Sequence, residues 1–250
     1  MKLLDLKPRI FQSFPQVRTC FVIGKLRYDL TPDEEVRKDR KELLQMLNLK
    51  AEELAFLDQI QSDQGFYFTM QEKINFLVRP DKAGDALYTD SSGIFLSVSS
   101  ADCLPVLFYS DAASVVGAFH AGWPGTAKKA LAKIVKEVVE KFSAPISSFY
   151  FFFGPAAQVC CYDVTHAPER VDLFQKLFGE EVLRKEGGKV FLDFVKANIM
   201  QLQDLGVSAG QLEDSGICTI HGEEYPSHRR QRATRKETLL SLVGMMEITK

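Results

Sequence analysis

The sequence predicts an α+β fold. Three observations predict this class: the β-type stretches cluster in the middle of the chain, the strand candidates at 93–99, 103–109 and 114–120 are separated only by short links, and an amphipathic helix follows at 126–142. Short links favour antiparallel or mixed pairing, because a parallel neighbour needs a long crossover connection. The chain has 250 residues, 46% of them hydrophobic, and no linker rich in Pro, Gly or Ser divides it. Residues 1–250 are therefore expected to form a single domain.

The predicted strands are short runs rich in β-branched and aromatic residues. In chain order they lie at 19–23, 54–60, 73–78, 93–99, 103–109, 114–120 and 148–153.

The predicted helices combine an apolar periodicity near 3.6 residues with start and stop signals. Thr31 is a predicted N-cap, because Pro32 follows it at the first turn and Glu34 stands three residues after it. The predicted helix 126–142 places apolar residues at i, i+3, i+4 and i+7, and Thr126 is its expected cap. The helices are expected at 32–48, 126–142, 168–178, 193–205 and near 237–247.

The net charge indicates what kind of partner the protein binds, and the cysteines indicate in which compartment it is found. There are 31 basic and 33 acidic side chains, so the net charge of −2 favours neither nucleic acid nor a membrane surface, and a small molecule is the expected partner. The N-terminal segment is too polar for a signal peptide. Five scattered cysteines predict reduced thiols rather than a disulfide framework, and hence a cytoplasmic protein.

Three residues form the first candidate site. Asp102 and Cys103 begin one predicted strand, and His120 ends the next. If these strands are antiparallel neighbours, Cys103 and His120 lie side by side, where a thiolate and an imidazole can bind zinc or act as nucleophile and base. An inert cysteine in the core remains an alternative interpretation, and Trp123 is more typical of packing than of ligand stacking.

Two further segments carry chemically distinctive residues. Arg229 and Arg230 lie in a basic segment that suits phosphate or carboxylate, although a solvated basic loop is an equal alternative. Cys160 and Cys161 are adjacent, which in a strand would point their side chains apart. We therefore interpret this pair as structural.

Six ordered motifs resemble one known family. They are "GDALYTD", "ADCLPVLF", "HAGWPGT", "GPAAQVCCYDV", "DFVKANIMQLQDLGV" and "CT…YPSHRR". Together they resemble the laccase-domain family, also called multicopper polyphenol oxidoreductases, of the purine nucleoside phosphorylase type. The resemblance implies central mixed β-sheets flanked by helices. It also implies a zinc-dependent enzyme that cleaves adenosine- or inosine-type nucleosides with phosphate and also deaminates adenosine.

The resemblance also implies the metal ligands. Cys103 and His120 match two family ligands, but Gln61 stands where the family has the third, a histidine. An amide oxygen is a poorer zinc ligand than imidazole, so weaker zinc binding, or none, is predicted. His166 or His228 could replace the missing ligand, although ordinary hydrogen-bonding histidines are the more common case.

Two further points bear on ligands. The family usually has arginine where Pro124 stands, so a guanidinium group is missing from this motif. Copper is the less expected metal, because phenol oxidation needs several histidine ligands and the chain has only four histidines.

Three functions stay open. The first is a nucleoside phosphorylase with Cys103, His120 and Asp102 as catalytic residues and Arg229 and Arg230 at the phosphate. The second is a family member without catalysis that acts as a binding or interaction module, suggested by the changes at 61 and 124. The third is a zinc-free Cys–His hydrolase. The preferred nucleoside and the oligomeric state stay open as well.

Overall fold

The computed structural model describes residues 1–26 and 34–247. Within these ranges the chain forms strands β1 Lys2–Leu3, β2 Val17–Gly24, β3 Leu54–Ala55, β4 Gly65–Tyr67, β5 Ala86–Thr89, β6 Phe95–Ser100, β7 Leu104–Ser110, β8 Val115–Ala121, β9 Phe149–Phe153, β10 Leu183–Glu186, β11 Lys189–Leu192, β12 Leu212–Asp214 and β13 Thr238–Met245. The α-helices are α1 Glu34–Leu47, α2 Trp123–Ala127, α3 Ala130–Phe142, α4 Pro168–Phe178, α5 Phe194–Gln203 and α6 His228–Gln231.

Two mixed sheets make up the centre. One has the order β1-β2-β13-β6-β3 and the other the order β12-β9-β7-β8-β5-β4, while β10 and β11 form a separate hairpin. Each large sheet combines antiparallel pairs with parallel ones, such as β3 with β6 and β4 with β5. The predicted α+β class with central mixed sheets is confirmed.

The strand β7 shows how the layers are held together. Successive side chains of a strand point to opposite faces. Leu107 and Tyr109 accordingly belong to the core between the two sheets, whereas Val106 and Phe108 pack in the core beneath the helices. Because both faces are covered, this strand is buried throughout and is apolar from Leu104 to Phe108.

The helices cover the outer faces of the two sheets. Helices α3 and α5 place Leu131, Ile134 and Leu202 in the core on one face of the six-stranded sheet. Helix α1 places Leu43 and Leu44 in a separate core with residues of β2 and β13. The order of layers is therefore helix, sheet, sheet, helices. No helix within residues 1–26 and 34–247 combines the length and apolar character needed to cross a bilayer.

Several predicted elements agree with the structure. The helix at 168–178 is confirmed at both ends, and the predicted strands at 103–109 and 114–120 are neighbouring and antiparallel, as β7 and β8. The helix predicted at 193–205 is α5, slightly shorter. The helix predicted at 32–48 is α1, whereas its predicted cap, Thr31 with Pro32, lies outside the described residues.

Other elements were predicted wrongly. The segment near 237–247 is not a helix but β13, which lies between β2 and β6 and is buried along its whole length. The segment 73–78 is a loop, and only Leu54–Ala55 of the stretch 54–60 pairs as a strand. A short apolar run has no periodicity that separates a buried strand from a helix.

The helix predicted at 126–142 is interrupted. Helix α2 already begins at Trp123, and Lys129 adopts a left-handed φ of 54° before α3 starts. Thr126 is therefore not the N-cap of the long helix. Its hydroxyl donates to the Gly122 carbonyl at 3.0 Å, inside the short helix.

Candidate functional site

The pairing of β7 with β8 brings Cys103 and His120 together. Leu104 pairs with Ala121 and Pro105 with His120, so Cys103 lies one residue beyond the end of this ladder, next to the histidine. The His120 imidazole and the Cys103 sulfur form a side-chain hydrogen bond. The two residues that the sequence placed at one end of the sheet are thus direct neighbours.

Asp85 is a third member of this group; it lies in the motif "GDALYTD", but no role was predicted for it. It stands just before β5, the strand that pairs with β8, and its carboxylate lies 2.8 Å from His120 Nδ1. The same carboxylate accepts hydrogen bonds from the amide and the hydroxyl of Ser62, and Asp85 is fully buried. Asp85 therefore fixes the orientation of the imidazole ring and directs the other ring nitrogen away from itself.

The charge of this group follows from its contacts. Burial lowers the pKa of His120, but the Cys103 sulfur and the Asp85 carboxylate outweigh burial and raise this pKa from its ordinary 6.5 to about 10. Burial raises the pKa of Asp85, while the hydrogen bonds from His120 and Ser62 hold it below its usual value. At neutral pH the site therefore contains a buried imidazolium paired with a carboxylate.

Gln61 reaches the same place from a different segment. Gly122 is packed against it: a Cβ atom at Gly122 would lie 2.2 Å from Gln61 Oε1 and 3.4 Å from Cys103 Sγ. Only a glycine leaves room for this arrangement. Gln61 itself adopts a left-handed φ of 58°.

These donors fit a tightly held zinc ion poorly. Cys103 and His120 are ordinary zinc ligands, but the third group at this place, Gln61, offers a neutral amide oxygen. Zinc in proteins is held by thiolate, imidazole and carboxylate groups. The chemistry of this site therefore depends on the side chains themselves.

Asp102 serves to hold the local backbone. Its carboxylate accepts a hydrogen bond from the Thr219 hydroxyl at 2.7 Å and another from the Arg229 amide at 2.6 Å. Its φ of 81° lies in the left-handed region, which is strained for a residue other than glycine. Asp102 was predicted as a catalytic residue, but these contacts suit a residue that positions Cys103.

A cavity of about 520 Å³ opens beside Cys103 and His120. Its wall carries alternating aromatic and guanidinium groups: Arg170 lies 4.1 Å from the centre of the Trp123 ring, and Arg229 lies 4.5 Å from that of Tyr162. Arg170 also donates to the Tyr162 hydroxyl, while its Nε is buried with no partner in the described part of the chain. Gln59, Gln61, Asp102, Phe194, His228 and Arg235 are among the other lining residues.

The predicted arginines separate into two roles. Arg229 lines the cavity. Arg230 is absent from the cavity wall that the described residues form, and its terminal nitrogens donate instead to the carbonyls of Thr219, Ile220, Gly222, Glu223 and Tyr225. These contacts argue against the prediction that Arg230 binds phosphate, because an anion would have to displace them.

The two histidines considered as replacement ligands also differ. His228 lines the cavity, whereas His166 is an exposed residue shortly before α4 and is absent from the described cavity wall. Arg170, which comes from α4, brings a guanidinium group beside Trp123, next to Pro124.

The interpretation of Cys160 and Cys161 was wrong in its premise. Residues 159–161 form a turn and not a strand, so neighbouring side chains can converge. The ligand atoms of Cys160, Cys161, Cys218 and His221 all lie within 4.8 Å of one another. The spacing Cys218-x-x-His221 was a signal in the sequence that could have indicated this cluster.

Comparisons with known proteins agree with this architecture. The purine nucleoside phosphorylase YlmD of Bacillus subtilis is 30% identical over 223 residues, which cover 86% of this chain and 79% of that protein. A purine nucleoside phosphorylase of Deinococcus radiodurans is 31% identical over 84% of this chain and 77% of its own. The crystal structure of YlmD from Geobacillus stearothermophilus superposes with a TM-score of 0.81 at 26% identity, covering 94% of each chain.

A family assignment completes the comparison. Residues 29–245 match the family described as multi-copper polyphenol oxidoreductase laccase. This range contains the β7–β8 pair, the cavity and the Cys160 cluster, and the match agrees with the resemblance found in the motifs. The chain belongs to the multi-copper polyphenol oxidoreductase laccase family.

Proposed function

We propose that the cavity beside Cys103 and His120 binds a purine nucleoside together with inorganic phosphate and cleaves the glycosidic bond. The observation that carries this proposal is the meeting of a buried His120–Asp85 pair with two cavity-lining guanidinium groups, Arg170 and Arg229. The names of the related proteins, which are purine nucleoside phosphorylases, support the same substrate class.

The two substrates have chemically distinct places in the cavity. Guanidinium groups bind phosphate oxygens well, and an oxygen that reaches the buried Nε of Arg170 would satisfy a donor that otherwise has no described partner. The aromatic residues Trp123, Tyr162 and Phe194 provide apolar wall for a purine ring.

The proposed reaction is a displacement at the ribose C1′ atom. A phosphate oxygen forms a bond to C1′ while the bond from C1′ to the purine nitrogen breaks and its electron pair moves to the purine. Overall, the proton of the phosphate dianion ends on the purine, and ribose 1-phosphate is the second product. Holding both reactants in one cavity lowers the entropic part of the barrier.

His120 is the group best suited to assist the departing purine. Its Nδ1 proton is committed to Asp85, and the raised pKa of about 10 keeps the ring protonated at neutral pH. The second N–H group, which contacts the Cys103 sulfur in the free protein, would turn to the departing purine nitrogen and donate to it as negative charge develops there. Cys103, hydrogen-bonded to this ring, holds it in place, and Asp102 positions Cys103 through the strained backbone.

We expect this reaction to proceed without a tightly bound zinc ion at Cys103 and His120, since Gln61 is the third donor. Deamination of adenosine, a further activity implied by the resemblance, needs an activated water and is expected to be the weaker reaction here. The reduced thiol that the site contains suits the cytoplasmic location predicted from the sequence.

The test is the release of free base from adenosine and inosine by the folded protein. We expect release that requires phosphate, persists with a chelator, and falls strongly in Cys103→Ala and His120→Ala but not in the control Cys20→Ala. Cys20 lies on β2, in the other sheet. Absence of release from folded protein would favour the binding module, and release independent of phosphate or of His120 would refute the mechanism.

A second candidate function has its own observation. Asp85, His120 and Cys103 form a row in which a carboxylate orients a histidine that contacts a thiol. Enzymes with a cysteine nucleophile use the same order of groups. A hydrolase of this kind would be alkylated at Cys103 by a thiol reagent at neutral pH, and the Asp85→Asn variant would react more slowly. An inert Cys103 would exclude this alternative.

A further inference from the structure

We propose that Cys160, Cys161, Cys218 and His221 form a second site, which binds one zinc ion and ties two surface turns together. The proposal rests on this cluster alone and not on the phosphorolysis reaction. The four residues include none of the groups assigned above to the candidate active site.

The separation of the donor atoms suits a tetrahedral ion. Zinc bonds of about 2.3 Å to sulfur and about 2.05 Å to nitrogen place sulfur atoms about 3.8 Å apart and sulfur and nitrogen about 3.5 Å apart. Cys160 Sγ lies 3.5 Å from His221 Nδ1, and all four donor atoms lie within 4.8 Å of one another. Only a small contraction separates this arrangement from a four-coordinate site.

Two turns bring the donors together. In the first, the Cys161 amide donates to the Gln158 carbonyl, so the adjacent cysteines curve around one point. In the second, the Gly222 amide donates to the Cys218 carbonyl, which returns His221 to the side of Cys218. The spacing of Cys218 and His221 is the short ligand spacing common in structural zinc sites.

The turns are held in place before any metal binds. Arg184 donates to the carbonyls of Val159 and Cys160 on the first turn. Arg230 donates to the carbonyls of Ile220 and Gly222 on the second. Two guanidinium groups therefore fix the backbone on both sides of the cluster and place positive charge beside its sulfur atoms. This fixing lowers the ordering cost of binding.

The surroundings of Cys218 favour a metal-bound sulfur. The backbone amides of Gln158, His221 and Ile220 donate to this sulfur. Such outer contacts orient and stabilise metal-bound thiolates in known sites. Cys160 and His221 are exposed, which gives an ion a path of entry.

A disulfide is the competing use of these thiols. It would consume two of the three sulfurs and leave the third cysteine and His221 without a role, whereas a metal ion uses all four. All five cysteines of the chain are free thiols in the structure.

The experiment uses the reduced, metal-free full chain carrying Cys103→Ser, which removes the thiol of the candidate active site. Four thiols then remain, and zinc is added while a thiol reagent labels the protein. We expect uptake of one zinc ion per chain and protection of Cys160, Cys161 and Cys218, while the labelling of Cys20 does not change. With cobalt in place of zinc, we expect an absorption band from thiolate-to-metal charge transfer.

Matched variants decide between a real site and general thiol binding. Cys218→Ser should weaken the metal affinity by more than the roughly 10–100-fold that loss of an outer-shell partner costs. The exposed Cys160→Ser should also weaken it without unfolding the protein, and Cys20→Ser should leave it unchanged. The proposal fails if the reduced protein takes up no zinc, or if Cys160→Ser and Cys218→Ser bind as tightly as their parent.

Discussion

Replacement of Asp85 by asparagine tests the electrostatic core of the candidate site. The Asp85→Asn change keeps the shape of the side chain but removes the negative charge that faces His120. The carboxylate accepts three hydrogen bonds, from His120 Nδ1, the Ser62 amide and the Ser62 hydroxyl. A hydrogen bond to a charged group contributes ~1.5–3 kcal/mol and a neutral one ~0.5–1.5 kcal/mol, and the amide has only one acceptor oxygen for donors on both sides, so the exchange costs at least about 1 kcal/mol per bond. We expect Asp85→Asn to lower the free energy of unfolding by ~3 kcal/mol at pH 6.

The pH dependence separates this electrostatic effect from a loss of packing. The pKa of His120 is raised from its ordinary 6.5 to about 10, so its contribution to stability is complete below pH 6.5 and is lost as the pH rises through 10. In Asp85→Asn the imidazolium loses its carboxylate partner, and the part of this contribution that Asp85 supplies disappears, while the part from Cys103 remains. The difference in stability between the two proteins should therefore shrink from ~3 kcal/mol at pH 6 to ~1 kcal/mol above pH 10.

Urea unfolding followed by the fluorescence of Trp123, the only tryptophan, measures both values. The corresponding thermal midpoint should fall by roughly 10 °C at pH 6, at about 2–4 °C per kcal/mol for a chain of this size. Asp63→Asn is the control, because Asp63 forms a half-exposed ion pair with Lys133 that contributes little. An equal loss of stability at both pH values would refute the assignment of a charged His120–Asp85 pair.

Two further predictions concern backbone packing and the arginines. Gly122→Ala should displace the end of the exposed Gln61 side chain, because the new Cβ would lie 2.2 Å from Gln61 Oε1, and urea unfolding should show a loss at the lower end of ~1–3 kcal/mol. Gly210→Ala, where a Cβ meets nothing within 4 Å, should differ little from the natural protein, and an equal effect of both changes would contradict this argument. Arg230→Lys should lower stability by about 2 kcal/mol, because one ammonium group cannot reach the carbonyls that the guanidinium fork binds. Arg229→Lys should instead raise the KM for phosphate with little change in stability, and the reverse pattern would exchange the two roles.

The Cys103–His120 pair was predictable because short-range signals determine it. A short loop joins the two strands that carry these residues, and a loop of this length permits only antiparallel pairing. Asp85 could not be found in the same way. It meets His120 because β5 is the neighbour of β8, and sheet order over this distance in the sequence has no local signal.

The failures have a common physical cause, which is that tertiary contacts override local preference. The run Thr238–Met245 is buried between two other strands, and its two polar residues, Thr238 and Ser241, do not mark a period of two. The apolar spacing around Thr126 continues across Lys129 although the backbone does not, because a left-handed residue interrupts the helix without changing the pattern of side chains. The side chains of Cys160 and Cys161 were predicted to point apart because the segment was interpreted as a strand, whereas it is a turn.

The proposed zinc site and the candidate active site share one stretch of hydrogen bonds. Thr219 directly follows Cys218, and its hydroxyl donates to Asp102, the residue that precedes Cys103. Tyr162 directly follows Cys161, and its ring lies beneath the guanidinium group of Arg229. The backbone amide of Arg229 also donates to Asp102. A metal ion that fixes both turns would therefore also fix the strained backbone at Asp102 and the wall that carries Arg229. Zinc at this second site would then stabilise the wall of the cavity from outside without being required for turnover, because its ligands precede residues that contact Asp102 and Arg229 rather than the substrate.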